Sequence, residues 1–184
     1  HAVLDLNDTP ENMEPLFETI LKYIPAPEGD PDAGTQVLIS TIDYNEYVGR
    51  IGVGKVDNGK IAVNQEVMLM NHHDPSKKKK VKISKLYEFE GLNKIEVQEA
   101  GIGSIVAISG IPEIHIGDTL CDVENPEPIP FQKISEPTIA MHFMVNDSPL
   151  AGQEGKFVTS RHLRERLMRE LNTDVSLRVE DTDS

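Results

Sequence analysis

The sequence predicts a mainly β protein with an α+β region at its end. Residues 35–123 contain six short apolar or alternating segments separated by turn signals, a spacing typical of a closed antiparallel barrel or a sandwich. Residues 138–184 have the pattern of a strand, a helix and a second strand. The 184 residues suffice for one domain or two small ones.

An amphipathic helix is predicted over residues 9–24, before the β region. Thr9 suits the N-cap, and Pro10 suits the first helical position, where its missing N–H costs nothing. Its apolar residues follow the spacing of one buried face: Met13, Leu16, Phe17, Ile20, Leu21 and Ile24. Because a lone helix of this length is marginal in water, the face needs a partner surface. The proline- and glycine-rich stretch that follows, to Gly34, is predicted to be a linker.

The β region is predicted from alternation and from turn residues. Asp57-Asn58-Gly59 is a strong hairpin signal, because Asn-Gly accepts the positive φ angles of a tight turn. The predicted strands are Gln36 to Ile42, Tyr47 to Val56, Glu66 to Met70, Val81 to Phe89, Ser104 to Ser109 and Asp118 to Val123.

The last part of the chain changes pattern after a second linker, residues 124–137, which holds four prolines. Residues 138–145 alternate and predict a strand. Residues 159–172 predict a helix, with leucines every fourth residue at 163, 167 and 171. Residues 174–180 alternate again and predict a second strand.

Charge is distributed unevenly along the chain. The net charge is −13, which argues against a protein that coats nucleic acid through overall positive charge. Residues 1–34 carry −7 of it, residues 35–130 carry −4 and residues 131–184 carry −2. Any contact with RNA must therefore be sought after residue 34.

Several classes of protein are disfavoured by the rest of the composition. The single cysteine, Cys121, excludes an internal disulfide and a cysteine-rich zinc site, and it fits a reducing cytoplasm. No apolar run approaches the length of a membrane span, so we expect no membrane partner. His1 is not an initiator methionine, and we expect the chain to be a piece of a longer protein.

Two segments resemble nucleotide-binding motifs, and each departs at an essential position. Residues 49–55 match a phosphate loop, but Val56 replaces the magnesium-binding hydroxyl and a turn follows instead of a helix. We interpret residues 49–56 as a barrel strand whose glycines permit bends or close packing. Residues 93–96 resemble a guanine-reading Asn-Lys-x-Asp, but Glu96 is longer by a methylene, and we interpret them as a polar loop.

No metal site or catalytic residue is predicted. His72 and His73 are adjacent and would point to opposite faces of a strand, and the other histidines have no ligand spacing. No serine or cysteine lies in a recognisable nucleophile motif.

Basic residues provide the candidate binding site. Lys77, Lys78, Lys79 and Lys80 form the densest positive stretch, in a predicted loop, and either contact phosphates or form a solvated charge run. The helix at 159–172 carries four arginines and follows a glycine-containing loop. Its alternatives are an anion site and a solvated helix face.

Three stretches of sequence resemble one protein family. They are Leu16-Phe17-Glu-Thr-Ile with Ile24-Pro-Ala-Pro, then Tyr44-Asn-Glu-Tyr-Val-Gly49 with Ile51-Gly-Val-Gly54, and finally Gly155-Lys-Phe-Val-Thr-Ser-Arg161. In this order they resemble the TypA/BipA family, bacterial translational GTPases related to elongation factor G. The resemblance runs over essentially the whole chain.

The resemblance implies a domain organisation. Residues 1–25 would be the end of a GTP-binding domain, including its last helix, and residues 26–34 a linker. Residues 35–123 would be a translation-factor-type antiparallel β-barrel, followed by a proline-rich linker at 124–137. Residues 138–184 would be the first half of a ferredoxin-like domain, an incomplete β-α-β unit.

The resemblance also implies a function. The chain would dock on the ribosome and couple the GTPase domain to the C-terminal domains. GTP and Mg²⁺ would be bound elsewhere in the parent protein. This chain would hold no cofactor and no catalytic residue, and it should be inactive alone. The alternative from the residues themselves is a stand-alone, non-enzymatic β-barrel adaptor that binds RNA or protein. The residues expected to contact the ribosome or its RNA are Lys77, Lys78, Lys79, Lys80, Lys156, Arg161 and Arg164.

A physical problem follows from the implied half-domain. In a ferredoxin-like sheet the first two strands are separated by the third, which this chain lacks. The strands at 138–145 and 174–180 would then face unpaired backbone groups. We expect this region to be mobile or to complete its sheet by strand-swapped self-association.

Overall fold

The computed structural model describes residues 2–9, 11–153 and 155–182. Two helices, α1 (Glu14–Tyr23) and α2 (Ser160–Glu170), flank a series of ten strands in this described part. The strands are β1 (Gln36–Asn45), β2 (Gly49–Asn58), β3 (Ile61–Ala62), β4 (Glu66–Asn71), β5 (Asp74–Lys82), β6 (Lys85–Glu90), β7 (Asn93–Val97), β8 (Glu99–Ala100), β9 (Ile105–Ser109) and β10 (Asp118–Cys121).

Eight of these strands form one antiparallel sheet in the order β5-β4-β10-β1-β2-β9-β6-β7. The two short strands β3 and β8 pair with each other, Ile61 opposite Ala100. The strands of residues 36–121 are called the barrel below. The prediction of a mainly β, antiparallel fold is confirmed.

One hydrophobic core explains why the sheet curves. Its buried side chains come from strands near both ends of the sheet order, such as Val67 on β4 and Leu86 on β6, and from Ile61 on β3. The central strands contribute Val37, Ile39, Val56, Val106, Ile108 and Leu120. A single cluster can receive all of them only if the sheet wraps around it, which is the geometry of a barrel.

The glycines of the phosphate-loop look-alike are packing residues of β2. A Cβ atom on Gly54 would lie 2.2 Å from the carbonyl oxygen of Leu38 on the neighbouring strand. One on Gly52 would lie 2.4 Å from Cδ1 of Ile114. The interpretation of this stretch as a glycine-containing barrel strand is therefore confirmed, and it leaves no open loop to hold a phosphate.

The hairpin predicted at Asn58-Gly59 is wrong. Gly59 does have a positive φ of 62°, and β2 does end at Asn58. The next strand, β3, pairs with β8 instead of β2, and the Gly59 N–H donates to the carbonyl oxygen of Asp30 at 2.9 Å. The chain therefore turns at Gly59, as predicted, but the strand that follows the turn pairs with β8 and not with β2.

Two segments predicted to be loops are strands. Lys77 to Lys80 lie inside β5, and residues 93–96 lie inside β7. β5 and β7 stand at the two ends of the sheet order. Edge strands of this kind carry many charged residues, so the apolar alternation used for prediction is absent.

Helix α1 is shorter than predicted. It begins at Glu14 instead of next to Thr9, and Pro10 lies outside the described residues. The Asn12 side chain accepts a hydrogen bond from the Glu14 N–H at 2.8 Å, a local turn that starts the helix later. Its apolar face is exposed, with Phe17 at 59% and Leu21 at 82%.

The α+β region forms its helix but not its strands. Helix α2 matches the predicted 159–172 closely, and its N-cap Thr159 accepts a hydrogen bond from the His162 N–H. Residues 138–145 and 174–180 enter no ladder among the described residues, so the two predicted strands are wrong. An extended segment becomes a strand only with a hydrogen-bonded neighbour, and neither has one here.

Both predicted linkers lie against the barrel at defined points. In the first, the Asp30 N–H donates to the Asn58 side chain at 2.8 Å. In the second, the Ile129 N–H donates to the Thr119 hydroxyl at 3.0 Å, and the Phe131 ring stacks edge-on against His73. Beyond Phe131 the chain is exposed as far as residue 153. None of the described helices is long and apolar enough to cross a membrane.

Replacing Gly54 with alanine tests the packing of β2. The new methyl group meets a backbone carbonyl that cannot rotate away, so Gly54→Ala should destabilise the barrel by about 1–3 kcal/mol. Urea unfolding measures this, with Gly101→Ala as the matched control, because a Cβ there meets no atom within 4 Å. Equal stability of the two variants would contradict the packing role.

Cys121 should be unreactive in the folded chain. Burial raises the pKa of its thiol from 9.0 to about 11. The thiol's contribution to stability is therefore complete below pH 9 and is lost as the pH rises toward 11. Iodoacetamide at pH 8 should add one alkyl group in urea and almost none without it, as read by mass spectrometry. Equal rates in the two conditions would show that Cys121 is accessible.

Candidate nucleic-acid interface

The lysine run lies on β5, an edge strand whose ladder partner is β4. Lys80 is opposite Met68 and Lys79 is opposite Leu69, while the neighbouring Val81 is opposite the buried Val67. Because side chains alternate along a strand, Lys79 and Val81 lie on the core side of the sheet. Lys80 and Lys82 lie on the opposite, outer side. Together with Lys78, which lies next to them at the irregularity of the β4–β5 ladder, they are called the outer lysine row.

Three of the four predicted lysines are already paired with carboxylates. Lys77 lies 3.0 Å from Asp74, and Lys79 and Lys80 each lie 2.6 Å from a glutamate, Glu113 and Glu66 respectively. The hydrogen bonds from Lys79 and Lys80 lower the pKa of Glu113 and of Glu66. The pKa of Asp74 is lowered first by the Ser76 hydroxyl and then by Lys77.

These pairs are exposed, and two lysines of the strand lack one. The lysine side chains of the three pairs are 52–85% exposed, so solvent and salt screen them strongly. Lys78 and Lys82 have no carboxylate within ion-pair distance in the described part of the chain. The strand therefore keeps a local excess of positive charge at Lys78 and Lys82.

The arginines of α2 are paired more completely. Arg161 contacts Glu165 at 2.8 Å, and Arg164 makes a two-pronged contact with Asp181, its Nε and Nη2 each donating at 3.0 Å. Arg166 pairs with Glu170 along the helix. The hydrogen bond from Arg161 lowers the pKa of Glu165, and the one to Asp181 raises the pKa of Arg164.

The two groups of predicted contact residues lie on different elements. Lys77 to Lys80 lie at the edge of the barrel, while Arg161 and Arg164 lie on α2 and Lys156 lies in the loop before it. Lys156 is exposed, beside Gly155 with its positive φ of 89°, and has no ion pair within the described ranges. The structure does not merge the two groups into one continuous basic surface.

Two residues near α2 were not predicted. Arg169 of the helix contacts Glu46 of the β1–β2 turn at 2.7 Å. Arg50 on β2 donates through Nη2 to the carbonyl oxygen of Leu171, the C-cap of α2, at 3.4 Å. An open groove of about 470 Å³ lies between this turn and the helix, lined in part by Tyr44 and Met168. No sequence pattern joins residues so far apart along the chain.

Neither nucleotide look-alike forms a site. Residues 49–56 lie in the sheet as part of β2, with Ile51 to Gly54 and Val56 buried. Glu96 on β7 pairs with Lys85 at 3.2 Å. Among the described residues no three His, Cys, Asp or Glu side chains come together in a way that could hold a metal ion.

Most of the barrel matches a known domain family. Residues 49–121, from β2 to β10, match the family described as Elongation factor Tu domain 2. A solved chain, translation elongation factor SelB from Methanococcus maripaludis in its apo form, aligns with a TM-score of 0.49 at 18% identity, over 61% of this chain and 23% of that one.

Curated relatives match along nearly the whole chain. Proteins named "Large ribosomal subunit assembly factor BipA" are 51% identical over 97% of this chain in Synechocystis, 46% over 100% in Bacillus subtilis and 45% over 99% in Escherichia coli K12. This chain spans about 30% of the length of each of them. Because the identity is high and runs from end to end of this sequence, the chain belongs to the BipA family.

Proposed function

We propose that this chain is the ribosome-docking and relaying part of a BipA-type GTPase that acts on the large ribosomal subunit. The homology to BipA assembly factors over nearly the full chain supports this proposal. The match of β2 to β10 to the second domain of elongation factor Tu supports a docking role for the barrel. No observation favours the alternative, a stand-alone barrel adaptor.

GTP and Mg²⁺ would be bound by the GTP-binding domain of the parent protein. The phosphate-loop look-alike of this chain is a strand of the sheet, with the Leu38 carbonyl against Gly54. Residues 1–25 would belong to that domain, and the exposed apolar face of α1 would pack within it. Residues 138–184 would begin the ferredoxin-like domain. Its segments at 138–145 and 174–180, which form no strand in the structure, would become strands by pairing with later residues or, in this chain alone, with a second copy. The protein would act in the cytoplasm, where ribosomes are.

The outer lysine row is the proposed RNA contact of the barrel. Alternate residues of an antiparallel strand are about 6.8 Å apart, which spaces Lys80 and Lys82, and Lys78 adds a third charge at the irregularity of the ladder. Lys78 and Lys82 can bind a phosphate without breaking an ion pair. Lys80 would have to break its ion pair with Glu66 to bind a phosphate. Lys77 and Lys79 contribute less, because each neutralises an acid of its own barrel.

Lys156, Arg161 and Arg164 form a second proposed contact. Lys156 is exposed and immediately precedes α2. Arg161 and Arg164 would have to exchange Glu165 and Asp181 for phosphates. Both pairs are largely exposed, so this exchange costs little.

Neutralising the outer row should weaken ribosome binding more than neutralising the paired lysines. In the full-length protein, Lys78→Gln with Lys82→Gln removes two charges that have no partner on the barrel. The slope of log binding constant against log salt should become shallower by about 0.7–0.9 for each lost phosphate contact. Co-sedimentation with ribosomal particles at several salt concentrations measures this slope.

The matched control carries Lys77→Gln and Lys79→Gln. It removes the same charge from the same strand but also frees Asp74 and Glu113. We expect its salt slope to stay close to that of the unmodified protein. An unchanged slope in the Lys78/Lys82 variant, or an equal change in both, would refute the outer row as the contact.

This chain alone should not bind GTP, whereas the full-length protein should. Isothermal titration with GTP and Mg²⁺ separates the docking role from a nucleotide enzyme built on residues 49–55. Saturable binding to the isolated chain that is lost in Lys55→Ala would contradict the proposal.

A further inference from the structure

We propose that contacts made by Glu46 and Arg50 hold α2 reversibly against the barrel. These contacts are called the latch. The latch comprises these two residues together with Arg169 and the carbonyl group of Leu171. It goes beyond the docking role above, because it concerns how one part of this chain moves on another, and it does not depend on where RNA binds.

Two polar contacts close the latch. The Glu46 carboxylate accepts from Nη2 of Arg169 at 2.7 Å. The Arg50 guanidinium donates to the Leu171 carbonyl at 3.4 Å and, through its other terminal nitrogen, to the carbonyl of Ile114 at 3.4 Å. The last carbonyls of a helix lack partners within the helix and carry partial negative charge. Arg50 is thus placed where a helix end attracts a cation.

Little else holds the helix to the barrel. Helix α2 has no buried residue. The Glu46 and Arg169 side chains are 68% and 65% exposed, which makes this an ion pair that salt screens. The Arg50 contact is at the long end of hydrogen-bond distances. In the described part of the chain, neither helix packs extensively against any strand.

The chain before α2 permits movement. The second linker is fixed to the barrel as far as Phe131, whose carbonyl lies 3.1 Å from Nε2 of His73. The residues from 132 to 153 are exposed and form no helix or strand. An opened α2 would therefore stay tethered near the barrel, at an effective concentration on the order of millimolar, and could close again.

The residues after α2 would move with it. Asp181 is held by Arg164 of the helix, and Arg178 contacts Glu136 at 2.8 Å, at the start of the exposed segment. Residues 136–153 and 155–181 thus form an arm closed on itself by these two pairs. Opening the latch would separate the arm from the barrel and expose the groove lined by Tyr44 and Met168.

Charge reversal with rescue tests the latch on the whole chain. Nitrogen-15 relaxation reports whether α2 amides tumble with the barrel or independently. Glu46→Lys should lower the ratio of closed to open arm by about 1.5- to 5-fold, the range measured for exposed ion pairs. Glu46→Lys combined with Arg169→Glu restores an attractive pair and should restore the ratio. Raising the salt from 0.05 M to 0.5 M should shift the unmodified chain in the same direction as Glu46→Lys.

Glu99→Lys is the matched control. It makes the same charge change at an exposed barrel pair, with Lys60, that does not touch α2. It should leave the relaxation of α2 unchanged. Independent tumbling of α2 in the unmodified chain at low salt would overturn the proposal. So would a failure of the double variant to rescue, or equal effects of Glu46→Lys and Glu99→Lys. Helical carbon shifts over Ser160–Glu170 in every variant exclude unfolding of α2 as the cause.

Discussion

The close packing of β2 is the constraint on which the rest of the structure depends. This strand pairs with β1 and β9 at the centre of the sheet, and it lies near enough to β1 that Gly54 has no room for a side chain. Near the start of β2, Arg50 donates a hydrogen bond to the carbonyl oxygen of Leu171 at the end of α2. At the end of β2, the Asn58 side chain accepts a hydrogen bond from the Asp30 N–H of the first linker. One strand therefore organises the core, fixes a linker and presents the contact to the arm. A pattern that looks like a nucleotide site is explained by this packing.

Sequence reasoning succeeded where one residue's local chemistry decides the structure and failed where a distant partner decides it. Thr159 and the leucine spacing specified α2, and apolar alternation found β1. Edge strand β5 escaped notice because its lysines carry no apolar alternation; only pairing with β4 makes it a strand. Residues 138–145 alternate, with Ile139, Met141, Phe143 and Val145 on one face, yet they form no strand without a neighbour. Of the candidate site, the basic residues can be found from the sequence, as can the nearby acids Glu165 and Glu170 on the same helix. The acids Glu113 and Asp181 cannot, because they are distant in sequence from Lys79 and Arg164.

Electrostatics at the surface consists largely of exposed pairs that can exchange partners. The lysines and arginines predicted to meet RNA are mostly engaged by carboxylates of this chain, so basic side chains are present at its surface despite the net charge of −13. Screened pairs of this kind stabilise the fold little, so their side chains can exchange partners at little cost in stability. The same property lets α2 rest against the barrel without being fixed to it. Weak exposed pairs thus serve both proposed roles of this chain, docking and relaying.

The most direct test identifies which part of the ribosome contacts the outer lysine row. A photo-crosslinking residue at position 78 of the full-length protein, bound to ribosomal particles, should form crosslinks to ribosomal RNA at a defined place. The same probe at position 60, on another exposed lysine of the barrel, should give few or none there. Crosslinks from position 78 confined to one RNA segment would support docking through β5. Crosslinks to RNA from position 60 but none from position 78 would contradict it.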